Sequence, residues 1–153
     1  AEKFGRLAVV ISIDAKQTPQ GYHVFTNNGR QATGLKVDDW AQEVEAKGAG
    51  EILLNSIDQD GTMSGYDLKL IRHVTEKVNI PVIASGGAGR LEHFAEAVNE
   101  GHASAVTAGS FFVFHGRRRA VLINFPTKQE LEAIFGGQAT FVKRKGEKVS
   151  GGK

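Results

Sequence analysis

Four times along the chain, a short apolar run stops on a polar loop carrying an acid or glycine. The runs are Leu7 to Asp14, Glu51 to Ile57, Ile80 to Ala84 and Ala103 to Thr107. Continuous apolar runs of this length suit strands buried on both faces, as in a parallel sheet. Segments with helical spacing come between them. Val37 to Lys47 puts Val37, Trp40, Ala41 and Val44 on one stripe, with Asp38 and Asp39 favoured by the dipole of the first turn. Asp67 to Val78 does the same with Leu68, Ile71, Val74 and Val78. Leu91 to Glu100 is a third helix, stopped by Gly101, and Thr127 caps a last one through Phe135, with Glu130 three residues on. Strand and helix alternate, so each helix returns the chain to a parallel neighbour.

The order is therefore (βα)₄, in one α/β domain. After the first strand, residues 20–34 alternate around Asn28-Gly29, which reads as a β-hairpin insertion. A (βα)₈ TIM barrel takes about 250 residues. These 153 residues make half of one. The opening Ala1-Glu2-Lys3-Phe4-Gly5 reads like a helix end, as in a chain cut between the fourth helix and fifth strand of a barrel. An open half-barrel exposes its apolar inner side chains and two strand edges, and such surfaces associate. The expected partner is the missing N-terminal half or a second copy of the chain. A small open sheet, complete as it stands, is the alternative. The domain is expected to span 1–136, with a flexible basic tail from 137 to 153.

Charge follows that division. The formal net charge is +2, but Lys143, Arg144, Lys145, Lys148 and Lys153 against Glu147 give the tail +4, leaving the body at −2. A basic tail on an acidic body does not make a nucleic-acid-binding face. There is no cysteine, hence no disulfide framework and no cysteine-based zinc site, which suits a reducing cytoplasm. No apolar run reaches the ~18–20 residues that span a bilayer.

Chemistry gathers at the ends of the strands, the side where parallel α/β folds place ligands. Gly61, Gly86-Gly87 and Gly109-Ser110 end three of them, with Ser85 and Ser110 beside the glycines. Glycine lets a backbone N–H approach a phosphate closely, and several such groups make an anion nest. The start of a helix near Tyr66 would add amides without internal partners, where an anion is a natural guest. The pattern is neither a Walker loop nor a dinucleotide fingerprint. Acids form the second group. Asp14 ends a buried strand and is the candidate general acid/base. Asp58 and Asp60 cap a loop or hold a hydroxyl. Ser12-Ile13-Asp14 and Ser56-Ile57-Asp58 echo each other 44 residues apart, as if two strands ended alike. Asp58-Gln59-Asp60-Gly61 starts wrongly for a calcium loop, with Lys69 at the twelfth position. His23, His73, His93, His102 and His115 lack metal spacing and read as ordinary histidines. Arg117-Arg118-Arg119 reads as a solvated turn.

Several stretches carry a family resemblance. They are Ile13-Asp14-Ala15-Lys16, Gly48-Ala49-Gly50-Glu51-Ile52-Leu53-Leu54, Ser56-Ile57-Asp58-Gln59-Asp60-Gly61-Thr62 and Ile83-Ala84-Ser85-Gly86-Gly87-Ala88-Gly89. In order and spacing they resemble the C-terminal half of the cyclase subunit of imidazole glycerol phosphate synthase, from residue 1 to about 114. The resemblance implies a barrel that takes ammonia from a glutaminase partner. With it the barrel cleaves and cyclises a ribulosyl-phosphate nucleotide in histidine biosynthesis. It makes Asp14 one of two catalytic aspartates, the other lying in the missing half. It sets Asp60, Gly61, Gly87, Ala108 and Gly109 around the substrate's phosphates, joined by Ser85, Gly86 and Ser110 from the loop reading. Glu51 matches a charged residue at the mouth of the ammonia tunnel. No metal or organic cofactor is implied.

Asn55 and Met63 stand where the histidine enzymes more often have Thr and Lys. Residues 111–126 look more like a paralogue associated with amidation of surface-polysaccharide sugars, whose barrel passes ammonia to a separate amidotransferase. Three functions follow: a half-enzyme active with its partner, an ammonia conduit, or a phosphate-binding half-barrel without catalysis. The isolated chain is expected to bind phosphate without useful turnover, since one of two acid/base groups is absent.

Overall fold

The structure, a computed structural model, describes residues 9–115, 120–121 and 125–136. The tail from 137, the opening helix-like residues and the Arg117-Arg118-Arg119 run lie outside the described residues. The elements are β1 (Val10–Thr18), β2 (Gly21–Thr26), β3 (Gln31–Lys36), α1 (Val37–Ala46), β4 (Glu51–Ser56), α2 (Leu68–Thr75), β5 (Val82–Ser85), α3 (Glu92–Asn99) and β6 (Ala105–Val106). A short α4 (Ser110–Val113), a two-residue ladder of β7 (Phe114–His115) with β8 (Ala120–Val121), and α5 (Lys128–Phe135) complete them.

One six-stranded sheet runs β3-β2-β1-β4-β5-β6. β1, β4, β5 and β6 are parallel neighbours in chain order, which is the (βα)₄ half of a barrel wall. Alternation along each strand sorts side chains to two faces. Ile13, Ala15, Ile52, Leu54, Val82 and Ala84 point to the helices and are buried. The first five pack with Val37, Ala41 and Val44 of α1 and Leu70 and Val74 of α2, while Ala84 joins a second cluster with Ile71 of α2 and Phe94 of α3. A fully buried Leu or Ile contributes about 1.5–3 kcal/mol, so this layer holds the fold together. Ser56 also points to the helices. Its hydroxyl is buried with no hydrogen-bond partner. The other face carries Val10, Ser12, Asp14, Glu51, Leu53, Asn55, Ile83 and Ser85, none of them buried, and Val10 is 50% exposed. This is the inner wall of the barrel, open along its length.

The hairpin forms as expected, with its turn at Asn27, Asn28 and Gly29, all at positive φ. It is not a separate flap. β1 continues four residues beyond Asp14, and that extension pairs antiparallel with β2 from Asp14↔Phe25 to Thr18↔Gly21. β1 thus pairs with β4 through Ala15 and with β2 from Asp14 onward.

That continuation corrects two expectations. Asp14 does not end its strand; it sits where the strand changes partner. The echo between Ser12-Ile13-Asp14 and Ser56-Ile57-Asp58 is not a structural repeat either. Ser12 pairs with Leu53 while Ser56 pairs with Ala15, an offset of three positions. An odd offset swaps faces, so Ser12 looks into the open wall and Ser56 into the helix layer. Asp58 lies past its strand in the following loop, where its Oδ2 accepts the Gln17 N–H at 2.8 Å.

The start of the second helix is a third correction. It begins at Leu68, and Asp67 is its cap, Oδ1 accepting the Leu70 N–H at 3.0 Å. A carboxylate already sits where an anion was expected. Asp67 also accepts the Tyr22 hydroxyl at 2.9 and 3.1 Å, tying β2 to α2. Burial, then the Asp67 carboxylate, hold the Tyr22 phenol well above its ordinary pKa, so it stays a donor. The last helix is capped as expected: Thr127 and Glu130 form a reciprocal capping box and Gly136 closes the helix in the left-handed region. Those bonds from Thr127 hold the Glu130 carboxyl below its usual range.

Candidate functional site

Three loops leave the C-terminal ends of β4, β5 and β6 side by side. They line a cleft of about 30 Å³ formed by Asp60, Gly61, Ser85, Gly86, Gly87, Ala88, Ala108, Gly109 and Ser110. All eight residues assigned to a phosphate from sequence lie here, with Ala88 added. The Asp60 N–H is bonded to Ser56 O at 2.9 Å, so the turn after β4 is fixed before any ligand arrives. Gln59, Thr62 and Ser64 bond one another across the tip of that loop.

The loops interlock through glycine. The Gly65 N–H donates to Gly87 O at 2.8 Å. Gly87 has φ +105°, and a Cβ there would run into the Gly65 carbonyl oxygen. Gly86 has φ +88°, and a Cβ there would lie 2.8 Å from Ser56 O and 2.9 Å from Asn55 Oδ1. No side chain fits where the two loops cross, so these glycines set how closely the cleft walls approach. Tyr66, buried and with its phenol pKa raised by that burial, donates to Thr107 O at 2.8 Å. It ties the first loop to the strand end that carries the third.

Asp14 stands one strand away on the open wall. Asn55 is its neighbour in register, and Ser85 is the neighbour of Asn55. The Asn55 Nδ2–H donates to Asp14 Oδ1 at 3.1 Å. The amide thus links the carboxylate to the rim at Gly86. Glu51 lies on the same face at the other end of β4, four residues or about 13 Å from that row. The structure therefore brings the eight cleft residues together, sets Asp14 one strand away, and puts Glu51 at the opposite end of the same face. Among the described residues there is no cluster of three or more His, Asp or Glu able to hold a metal. No helix among them is long and apolar enough to cross a membrane.

Three groups here have roles that the sequence does not signal directly. Nothing in the sequence pairs Asn55 with Asp14. Tyr22, on a hairpin face, has nothing to link it to Asp67 45 residues on. His93 lacks metal spacing and is an ordinary histidine by sequence; it is buried, and its Nδ1 accepts the Gly89 N–H at 3.1 Å. Its position four residues after a loop glycine, at the start of a helix, was the available signal.

A family model described as "Histidine biosynthesis protein" matches residues 1–118. The chain belongs to that family. It is 58% identical over 114 residues to a protein of Pyrobaculum aerophilum named imidazole glycerol phosphate synthase subunit HisF. The aligned stretch is 74% of this chain and 45% of that protein, so the chain spans less than half the length of the curated relative it matches. The family match stops within the 111–126 segment that resembled the polysaccharide paralogue, and that segment lies partly outside the described residues.

Proposed function

We propose that this chain is the C-terminal half of the cyclase subunit of an imidazole glycerol phosphate synthase. Its substrate is a ribulosyl-phosphate nucleotide, cleaved and cyclised with ammonia. One observation carries the reading: the glycine-walled cleft opens beside a carboxylate that a neighbouring amide holds in place. In this reading the amides of the loops at Gly61, Gly87 and Gly109 grip one substrate phosphate. The grip sets the reacting carbons over the open wall. Asp14 then takes and returns protons as general acid/base, a role typically worth about 10²–10⁴-fold. Asn55 aims the carboxylate.

The second acid/base group comes from the N-terminal half-barrel, which covers the wall of Val10, Leu53 and Ile83. Without that half, a second copy of the chain takes the same place. A glutaminase subunit docks at the opposite mouth and releases ammonia beside Glu51. The ammonia then travels along the barrel axis toward Asp14. The name of the Pyrobaculum relative and the family match support this reading.

The test is reconstitution. The chain is mixed with a complementary N-terminal half and supplied with ammonia and substrate. Turnover is expected from the mixture, none from either half alone, and none when Asp14→Asn is used. Turnover by the isolated chain, or undiminished turnover with Asp14→Asn, overturns the proposal.

A further inference from the structure

His93 sits at the start of α3, 6% exposed, five residues after the cleft residue Ala88. Its Nδ1 accepts the Gly89 N–H, so that nitrogen carries the lone pair and the ring proton is on Nε2. The far edge of the ring lies under the other loop. Its Nε2, Cδ2 and Cε1 atoms are 3.7–3.8 Å from where a Cβ on Gly65 would stand. Gly65 in turn donates to Gly87 O. A Cβ on Gly89 would collide with the Met63 carbonyl. One imidazole therefore bonds to one loop and lies where a side chain on the other would meet it, beside the place where the two cross.

We propose that His93 is a positioning residue for the cleft: its Nδ1 acceptor holds Gly89, and through Gly89 sets Gly86 and Gly87 for binding an oxyanion. This rests on the reading of the cleft as a phosphate site. The ring's surroundings keep it able to accept. Burial, then the Arg90 guanidinium, push its pKa below the usual value, and Glu96 and Glu92 oppose them. Arg90 bonds Glu96 at 3.1 Å and approaches Glu92 at 3.9 Å, so the three charges near the ring are paired with each other. On the facing loop, Asp58 is bonded to Gln17 and Asp67 to Tyr22 and Leu70. A cationic ring would lose the acceptor, and the Gly89 N–H would face a second donor.

The acceptor, not the bulk, is what the proposal requires, and two variants separate them. In His93→Asn, Oδ1 hangs from Cγ as Nδ1 does and accepts the same N–H. His93→Phe keeps a ring and removes the acceptor. Sulfate, a dianion throughout the neutral range, is titrated into the full chain, and amide exchange is followed at Gly89. His93→Phe is expected to weaken sulfate binding about tenfold, the worth of one hydrogen bond near 1.4 kcal/mol. It also exposes the Gly89 amide to exchange. His93→Asn is expected to restore both. A purely packing role gives the reverse order, with Phe retaining binding and protection and Asn losing them, and that result overturns the proposal. If the unaltered chain binds no sulfate, the reading of the cleft fails. Gly89 exchange then decides the role of His93: loss in Phe and recovery in Asn sustains it, and equal protection in both overturns it.

Discussion

Asn55 donates to Asp14 across the β1–β4 ladder at 3.1 Å, and its own carbonyl oxygen occupies the space that a Cβ on Gly86 would need, 2.9 Å from where it would stand. One side chain thereby fixes the carboxylate relative to the cleft. A hydrogen bond to a charged group is worth about 1.5–3 kcal/mol. Asn55→Leu, similar in size but without the donor, is expected to lower turnover of the reconstituted enzyme by about 10–100-fold on that basis. Phosphate affinity should change far less. Steady-state kinetics and a phosphate titration check it; unchanged kcat means that Asn55 does not aim Asp14.

The glycines of the cleft are not equivalent. Gly87 combines φ +105° with a backbone carbonyl in the way of any Cβ, whereas nothing lies within 4 Å of a Cβ on Gly109. Gly87→Ala is expected to cost at least about 2 kcal/mol, from positive-φ strain and overpacking together. Gly109→Ala should stay within about 0.5 kcal/mol of the unaltered chain. Urea denaturation of the two variants measures the contrast.

Tyr22 ties the hairpin to the cap of α2 through Asp67. Tyr22→Phe removes the hydroxyl and should cost about 1–2 kcal/mol, as for a partly exposed hydrogen bond to a charged group. The effect has a sign in pH. Unfolded tyrosine loses its proton near its ordinary pKa of 10.0, while the folded phenol keeps it to higher pH. The bond's contribution is complete below pH 10 and falls as pH rises above it. Denaturation curves in mild alkali should therefore converge for the two proteins.

Ser56 presents the opposite case. Its hydroxyl is buried in the helix layer, 3% exposed and without a partner. Removing an unsatisfied buried polar group relieves its desolvation cost, about 1–3 kcal/mol. Ser56→Ala should stabilise the chain by about 1 kcal/mol, read as a higher denaturation midpoint.

What the sequence made legible was local. Apolar runs, helical stripes and the capping box at Thr127 each depend on residues within one element, and they located the four parallel strands and the four longer helices to within a few residues; the short α4 and the β7–β8 ladder carry no such pattern and were not expected. The cleft was legible for a related reason: parallel neighbours bring successive strand ends together, so Gly61, Gly87 and Gly109 meet once the topology is known. What stayed hidden depends on register. Whether Ser56 faces helix or open wall turns on an offset of three between β1 and β4. The bonds Asn55–Asp14 and Tyr22–Asp67 join positions 41 and 45 residues apart. The length of β1 was missed because its second half, Ala15-Lys16-Gln17-Thr18, is mostly polar and is held by β2 rather than by a core.

The most direct measurement is a phosphate titration followed by amide NMR of the chain. The account predicts that the Gly61, Gly87 and Gly109 signals move together and saturate with a single dissociation constant. Signals that stay still, or that move at the open groove of Lys69 and Arg72 on α2 instead, would contradict it.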